Sequence, residues 1–199
     1  MKLVAITQRV GIEPNYAERR DMLDQRWARF LATCGFAILP LPNDPEIALD
    51  LVGEAAPVAL VFSGGNDLVA CGGDAPERDA TESRLLDHAV QTGLPLLAIC
   101  RGLQFLLHAF GSRLERIPGH VATRHVVSGD LGRFETNSYH GWGTTTVCAP
   151  LVVDARADDG TIEAVHHESA RIRGVMWHPE RETPFLDRDV RLIKEFVGT

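Results

Sequence analysis

Four apolar runs constrain what this chain can become: LVAITQ at 3–8, FAILPLP at 36–42, VALVF at 58–62 and LPLLAIC at 94–100. Each has the length of a strand, and each is apolar almost throughout rather than at alternate positions. Such a strand has to be covered on both faces, which a sheet with one wet face does not provide. Segments with helical spacing fall between the runs. NYAERRDMLDQRWARFLATCG (15–35) puts Met22, Leu23, Trp27, Phe30 and Leu31 at that spacing and ends on Gly35, a helix stop. A short helix is expected from Asp44 to Gly53, a longer one over 76–93 between Pro76 and Gly93, and another over 102–111.

Strands alternating with helices in this way predict a parallel sheet sandwiched between helices. From about Arg113 the pattern changes to short β-like pieces, HVVS, TTTVCA, LVVDAR, TIEAVHHE and IRGVMWH, broken by Gly, Asp and Pro. A final helix is expected over 184–197. The expectation is one α/β domain over residues 1–199, a doubly wound, mainly parallel sheet with a small antiparallel excursion.

Charge and cysteine usage narrow the partners. A net charge of −7 argues against a nucleic-acid backbone or an anionic membrane surface, but not against a small anionic ligand held locally. No run is long enough to span a bilayer, and the start has no signal-peptide layout. The four cysteines are far apart with no CxxC pair, which predicts a reduced, cytoplasmic setting. Eight histidines are present, yet no His/Cys spacing matches a known ligand pattern, so no metal is expected.

One polar pair, Cys100-Arg101, interrupts the apolar stretch LPLLAICRGLQFLLHAFG where a strand should become a helix. In a doubly wound sheet, ligands gather at the carboxyl ends of the strands. A thiol there meets a helix N-terminus, whose partial positive charge favours thiolate. Ala98 and Gly102, two residues to either side, are the small neighbours that a sharp nucleophile elbow needs. A nucleophilic cysteine needs a base and the base an orienter. GVMWHPE (174–180) supplies His178 at the end of an apolar strand, with Glu180 two residues on and so on the same side. His88 and His108 fall in helices, and His166 and His167 lie within a strand, which suits structural roles better. SGGND (63–67) follows the third strand and can aim backbone N–H groups at a ligand.

Together SGGND, ICRGLQ, NSYHGW and MWHPE, in that order, resemble the class I glutamine amidotransferase superfamily, over nearly the whole chain. The resemblance implies a flavodoxin-like fold and a triad of Cys100, His178 and Glu180. It implies an oxyanion hole from the N–H groups of Gly64 or Gly65 and of Arg101. It implies substrate contacts from Gln104 and from the YHGW loop of Tyr139, His140, Gly141 and Trp142. The implied reaction is attack of the thiolate on a γ-glutamyl amide, a γ-glutamyl thioester, and release of glutamate by water, without metal or organic cofactor.

Arginine after the nucleophile is more typical of free-standing γ-glutamyl hydrolases than of glutaminase subunits. ITQR, NYAERR, LVFSGGNDL, AICRGLQ and NSYHGW most resemble the γ-glutamyl-CDP-amidate hydrolase family, which acts in making the phosphoramidate donor for capsular polysaccharide. The γ-glutamyl-polyamine and γ-glutamyl-aminobutyrate hydrolases stand close behind. A glutaminase passing ammonia to a partner synthase is the less favoured arrangement, and a homodimer is compatible with either. The Arg101 side chain is expected to lower the thiol pKa or to meet a leaving group.

Overall fold

The computed structural model describes residues 1–198. Its elements are β1 (Lys2–Thr7), β2 (Arg9–Glu13), β3 (Glu18–Met22), α1 (Arg26–Thr33), β4 (Phe36–Leu41), α2 (Pro45–Ala55), β5 (Ala59–Phe62), α3 (Pro76–Thr92), β6 (Leu96–Ile99) and α4 (Arg101–Ala109). There follow β7 (Glu115–Arg116), β8 (Val121–Gly129), β9 (Gly132–Tyr139), β10 (Trp142–Gly143), β11 (Leu151–Ala157), β12 (Ile162–His167), β13 (Ile172–Val175) and α5 (Asp187–Gly198).

One sheet of nine strands runs in the order β4-β1-β5-β6-β13-β12-β11-β8-β9. The first five are parallel, and every pairing beyond β13 is antiparallel. The α/β class and the mainly parallel core agree with the sequence, and the antiparallel excursion continues the same sheet. Two short ribbons, β2-β3 and β10-β7, stand apart from it.

The apolar runs behave as two-sided strands. Val4 and Ile6 of β1 join Val61, Ile99, Trp27 and Phe30 of α1, and Ile193 of α5. Ala5, between them, joins Leu60, Ala98, Val52 of α2, Leu85 of α3 and Leu106 of α4. Successive residues of a strand point to opposite faces, so helices must cover both. This leaves the carboxyl ends of β5, β6 and β13 as the edge where loops can reach a ligand.

Three expectations need correction. Residues 15–25 are not helical: β2 and β3 form an antiparallel hairpin, and only Arg26–Thr33 is helix. Gly11, lacking a side chain, makes room for the Met22 thioether across that hairpin, so Met22 belongs to the ribbon. TTTVCA is no strand, because its backbone N–H groups go to side chains rather than to a neighbouring strand: Thr144 Oγ1 accepts from Thr146 N at 3.2 Å, and Cys148 N donates to Ser112 Oγ at 3.0 Å. The stretch 132–139, which no apolar run announces, is the edge strand β9. The last helix begins at Asp187 rather than 184.

Candidate active site

Cys100 terminates β6 and is the residue before α4, with φ 52° and ψ −103°. A positive φ is costly for a non-glycine residue and persists only where the surroundings enforce it. Two contacts enforce it here. Cys100 N donates to Val175 O at 2.8 Å, and Gln104 N donates to Cys100 O at 3.0 Å. Gly102 is the position that lets the turn close, since a Cβ there would lie 2.8 Å from Phe62 Cβ and collide with the Phe62 carbonyl.

His178 follows β13, next to β6 in the sheet. Its Nδ1 lies 2.7 Å from Glu180 Oε1, and both side chains are 2% exposed. The Cys100 side chain is also close enough to the ring to favour its charged form. Burial opposes charging the ring, but the Cys100 sulfur and the Glu180 carboxylate outweigh it and raise the imidazole pKa to about 9. Asn137 on β9 fixes the backbone on both sides: His178 N donates to its Oδ1 at 2.9 Å, and its Nδ2 donates to His178 O at 2.9 Å. Gly64 packs flat against the ring, for a Cβ there would sit 2.6 Å from His178 Cε1.

The SGGND loop is held from behind by a buried ionic network. Arg78 of α3, 0% exposed, donates from Nη2 to Ser63 O at 2.5 Å and from Nη1 to Gly64 O at 3.2 Å and to Gly65 O. A peptide's C=O and N–H point in opposite directions, so drawing these carbonyls toward α3 turns the following N–H groups away from it. Glu82 secures Arg78 at 3.1 Å, accepts from Thr7 Oγ1 at 2.8 Å, and pairs with Arg101. Asn66, at φ 59°, ties the loop to β2 by accepting from Val10 N at 2.8 Å and donating to Val10 O at 2.9 Å.

Arg101 therefore departs from expectation. Its guanidinium is buried between Glu82 and Asp79 rather than free at the cavity, so it is engaged in bracing the loop and is not available to a leaving group. Only its backbone remains at the elbow.

Cys100, Arg101, Gln104, Gly65, Tyr139, His140, Gly141 and His178 line one cavity of about 310 Å³. Gly64 and Glu180 lie behind it, in a small adjoining space shared with Arg9 and Arg181. Gln104 Nε2 donates to Trp142 O at 2.9 Å, which joins α4 to the YHGW turn. The Tyr139 ring meets His178 edge-on at 5.8 Å and carries the Arg181 guanidinium at 4.6 Å. Arg116 caps Trp142 at 4.4 Å. All the residues singled out from the sequence thus fall around one site.

Several site residues escaped the sequence reading. Arg78 and Glu82 had a usable signal: they occupy the same helical stripe as Leu85, Leu86 and Ala89, a charged pair on a core-facing surface. Arg9 and Asn137 lie inside the quoted ITQR and NSYHGW motifs, but no local pattern gives them a role, because long-range pairing brings them here.

Residues 21–192 match the glutamine amidotransferase class-I family. The chain belongs to that family. It is 32% identical to the γ-glutamyl-CDP-amidate hydrolase of Campylobacter jejuni, covering 98% of this chain and 97% of that one. It is 28% identical to the γ-glutamyl-γ-aminobutyrate hydrolase of Escherichia coli K12, covering 79% and 78% respectively. A glutamine amidotransferase crystal structure from Thermotoga maritima superimposes with a TM-score of 0.70 at 16% identity, over 99% of this chain and 84% of that one, which speaks to the fold.

Proposed function

We propose that the protein is a free-standing hydrolase of γ-glutamyl amides, with Cys100 as nucleophile, His178 as acid and base, and Glu180 as its orienter. The thiolate attacks the γ-carbonyl, and the N–H groups of Gly64 or Gly65 and of Arg101 receive the oxyanion. The His178 imidazolium gives its proton to the departing nitrogen, leaving a γ-glutamyl thioester on Cys100. His178 then takes a proton from water as it attacks, and glutamate leaves. A raised imidazole pKa suits this order, because the first proton transfer requires the charged ring. Gln104 and the Tyr139–Trp142 loop hold the α-amino acid end. No metal or cofactor takes part in these steps.

The leaving group we propose is a cytidine diphosphoramidate, making γ-glutamyl-CDP-amidate the substrate and capsule phosphoramidate synthesis the setting. One observation supports this beyond the Campylobacter relative. Arg9, Arg116 and Arg181 stand around the site outside the buried network that holds Arg78 and Arg101, Arg116 within 3.9 Å of Asp67 and Arg181 within 3.6 Å of Glu180. A diphosphate is the leaving group that such guanidinium groups recognise best. The γ-glutamyl-aminobutyrate reading offers these cations only one carboxylate. Among the described residues no helix is long and apolar enough to cross a membrane. The four unpaired cysteines support placing the protein in the cytoplasm.

The test is kcat/KM of the isolated chain on γ-glutamyl-CDP-amidate, γ-glutamyl-γ-aminobutyrate and glutamine. The first should turn over at about 1 per second or more, with glutamine far poorer because its ammonia forgoes the binding energy of the diphosphate pocket. Equal rates on glutamine, or activity only with cell extract, would favour a glutaminase docked to a synthase.

A further inference from the structure

The antiparallel half of the sheet carries a second cluster of chemistry, one that takes no part in the proton transfers although its member His140 also lines the cavity. His120 immediately precedes β8, His125 lies on it, His140 follows β9, and Glu163 lies on β12. Glu163 is 0% exposed, and neither of its carboxylate oxygens has a hydrogen-bond donor. Its Oε1 stands 3.5 Å from His120 Nδ1, 3.3 Å from His125 Nε2 and 3.3 Å from His140 Nε2.

The outer contacts of the rings decide which nitrogens carry protons. His140 Nδ1 faces the Trp142 carbonyl at 3.0 Å, which can only accept, so the proton sits on Nδ1 and the Nε2 lone pair turns inward. His120 Nε2 faces the Asp159 carboxylate at 2.9 Å, so its proton sits there and the Nδ1 lone pair turns inward. With both rings neutral, those two inward nitrogens, 3.2 Å apart, have no hydrogen between them. Two lone pairs and a carboxylate oxygen crowd one point inside the protein, and the arrangement calls for a cation.

We propose that His120, His125, His140 and Glu163 bind a divalent metal ion, zinc by the chemistry of the donors. A tetrahedron with metal–ligand bonds of about 2.0–2.1 Å has edges of about 3.3–3.4 Å, close to the four contacts just given. Magnesium and calcium demand oxygen ligands, whereas three imidazoles and one carboxylate suit zinc. The ligand atoms of His120, His125 and Glu163 all lie within 4.8 Å of one another. Asp159 and the Trp142 carbonyl are the outer groups that orient metal-bound histidines elsewhere. His140, 3.2 Å from His120 and 3.3 Å from Glu163, would be the fourth ligand that closes the coordination shell and makes the ion structural. Its task follows from position: His140 opens the YHGW turn, and the carbonyl that orients it also accepts from Gln104. The metal would brace the far wall of the cavity against α4. The sequence hid this site because its ligands come from three strands and match no short spacing.

The experiment uses tag-free protein purified without chelator. Elemental analysis should find about one zinc per chain. Replacement by cobalt should give the visible absorption bands of a tetrahedral site. Stripping the metal should lower Tm by several degrees and zinc should restore it. Asp159→Asn should weaken zinc binding about 10- to 100-fold, and His125→Ala at least as much. Metal-free protein that neither takes up zinc at micromolar concentration nor shifts in Tm would overturn the proposal, leaving a His–Glu cluster held together by protons. Zinc retained unchanged by both His125→Ala and Glu163→Gln would overturn it as well, since the ion would then sit elsewhere.

Discussion

The two halves of the sheet contribute to the cavity in different ways. In the parallel half, β5 and β6 end in joints whose shape is fixed within a few residues: the SGGND loop and the Cys100 elbow. In the antiparallel half, β8, β9 and β12 supply a wall whose parts are distant in sequence: Asn137 under His178, and His120, His140 and Glu163 behind Tyr139 and Gly141. The proposed reacting groups stand on the first half and just after β13, where the halves meet. The proposed nucleophile is set at a short, buried strand end, while the wall facing it is built on longer, more exposed strands. Binding specificity can then vary without disturbing the nucleophile.

The comparison breaks most visibly at Cys100. Cys100→Ala should lower kcat by about 10⁴-fold or more while leaving Tm near that of the parent, since alanine fits the elbow. Next comes the support behind the loop. Arg78→Met removes one of the two buried cations that pair with Glu82, leaving Arg101 as the other, and takes the donor away from the Ser63–Gly65 carbonyls. It should lower both Tm and kcat, the latter by about 100-fold, the scale of a lost oxyanion donor. His178→Ala should lose at least about 100-fold in kcat. Arg9→Ala and Arg116→Ala should each raise KM for the diphosphate substrate by about 10-fold, with little change on γ-glutamyl-γ-aminobutyrate. A change that was equal on both substrates would move those arginines from selection to general support.

The pH profile sharpens the same contrast. With the folded imidazole raised to about 9, His178 keeps its proton through neutrality and loses it as pH rises through that value. The alkaline limb of kcat/KM should therefore lie near pH 9. Glu180→Gln, which removes one of the causes, should move it downward while retaining more activity than His178→Ala. The sign for stability is the same. A raised folded pKa stabilises the fold fully below the unfolded value near 6.5, and this contribution is lost as pH rises from there through about 9.

These halves also differed in how far they could be read from sequence. The apolar runs of β1, β4, β5 and β6 declare themselves because both faces are buried, and the elbow and the glycine loop follow directly from where those runs stop. The edge strand β9 does not. Its alternation is polar, and it becomes a strand only by pairing with β8. The β2-β3 hairpin misled for a related reason: Met22 and Leu23 share a helical phase with Trp27 and Phe30, but the chain satisfies Met22 across the ribbon at Gly11. The Arg101 side chain was misjudged because its partners, Asp79 and Glu82, arrive from a different helix. Local chemistry was legible, and contacts between distant segments were not.

The central claim is that Cys100 carries the γ-glutamyl group during turnover. The direct measurement is mass spectrometry of wild-type enzyme quenched in acid during steady-state hydrolysis of γ-glutamyl-CDP-amidate, with peptides mapped afterwards. The account predicts a single γ-glutamyl addition on the peptide containing Cys100, labile to hydroxylamine as a thioester is, and absent from Cys100→Ala. Addition at Cys34, Cys71 or Cys148, or sustained turnover by Cys100→Ala, would contradict it.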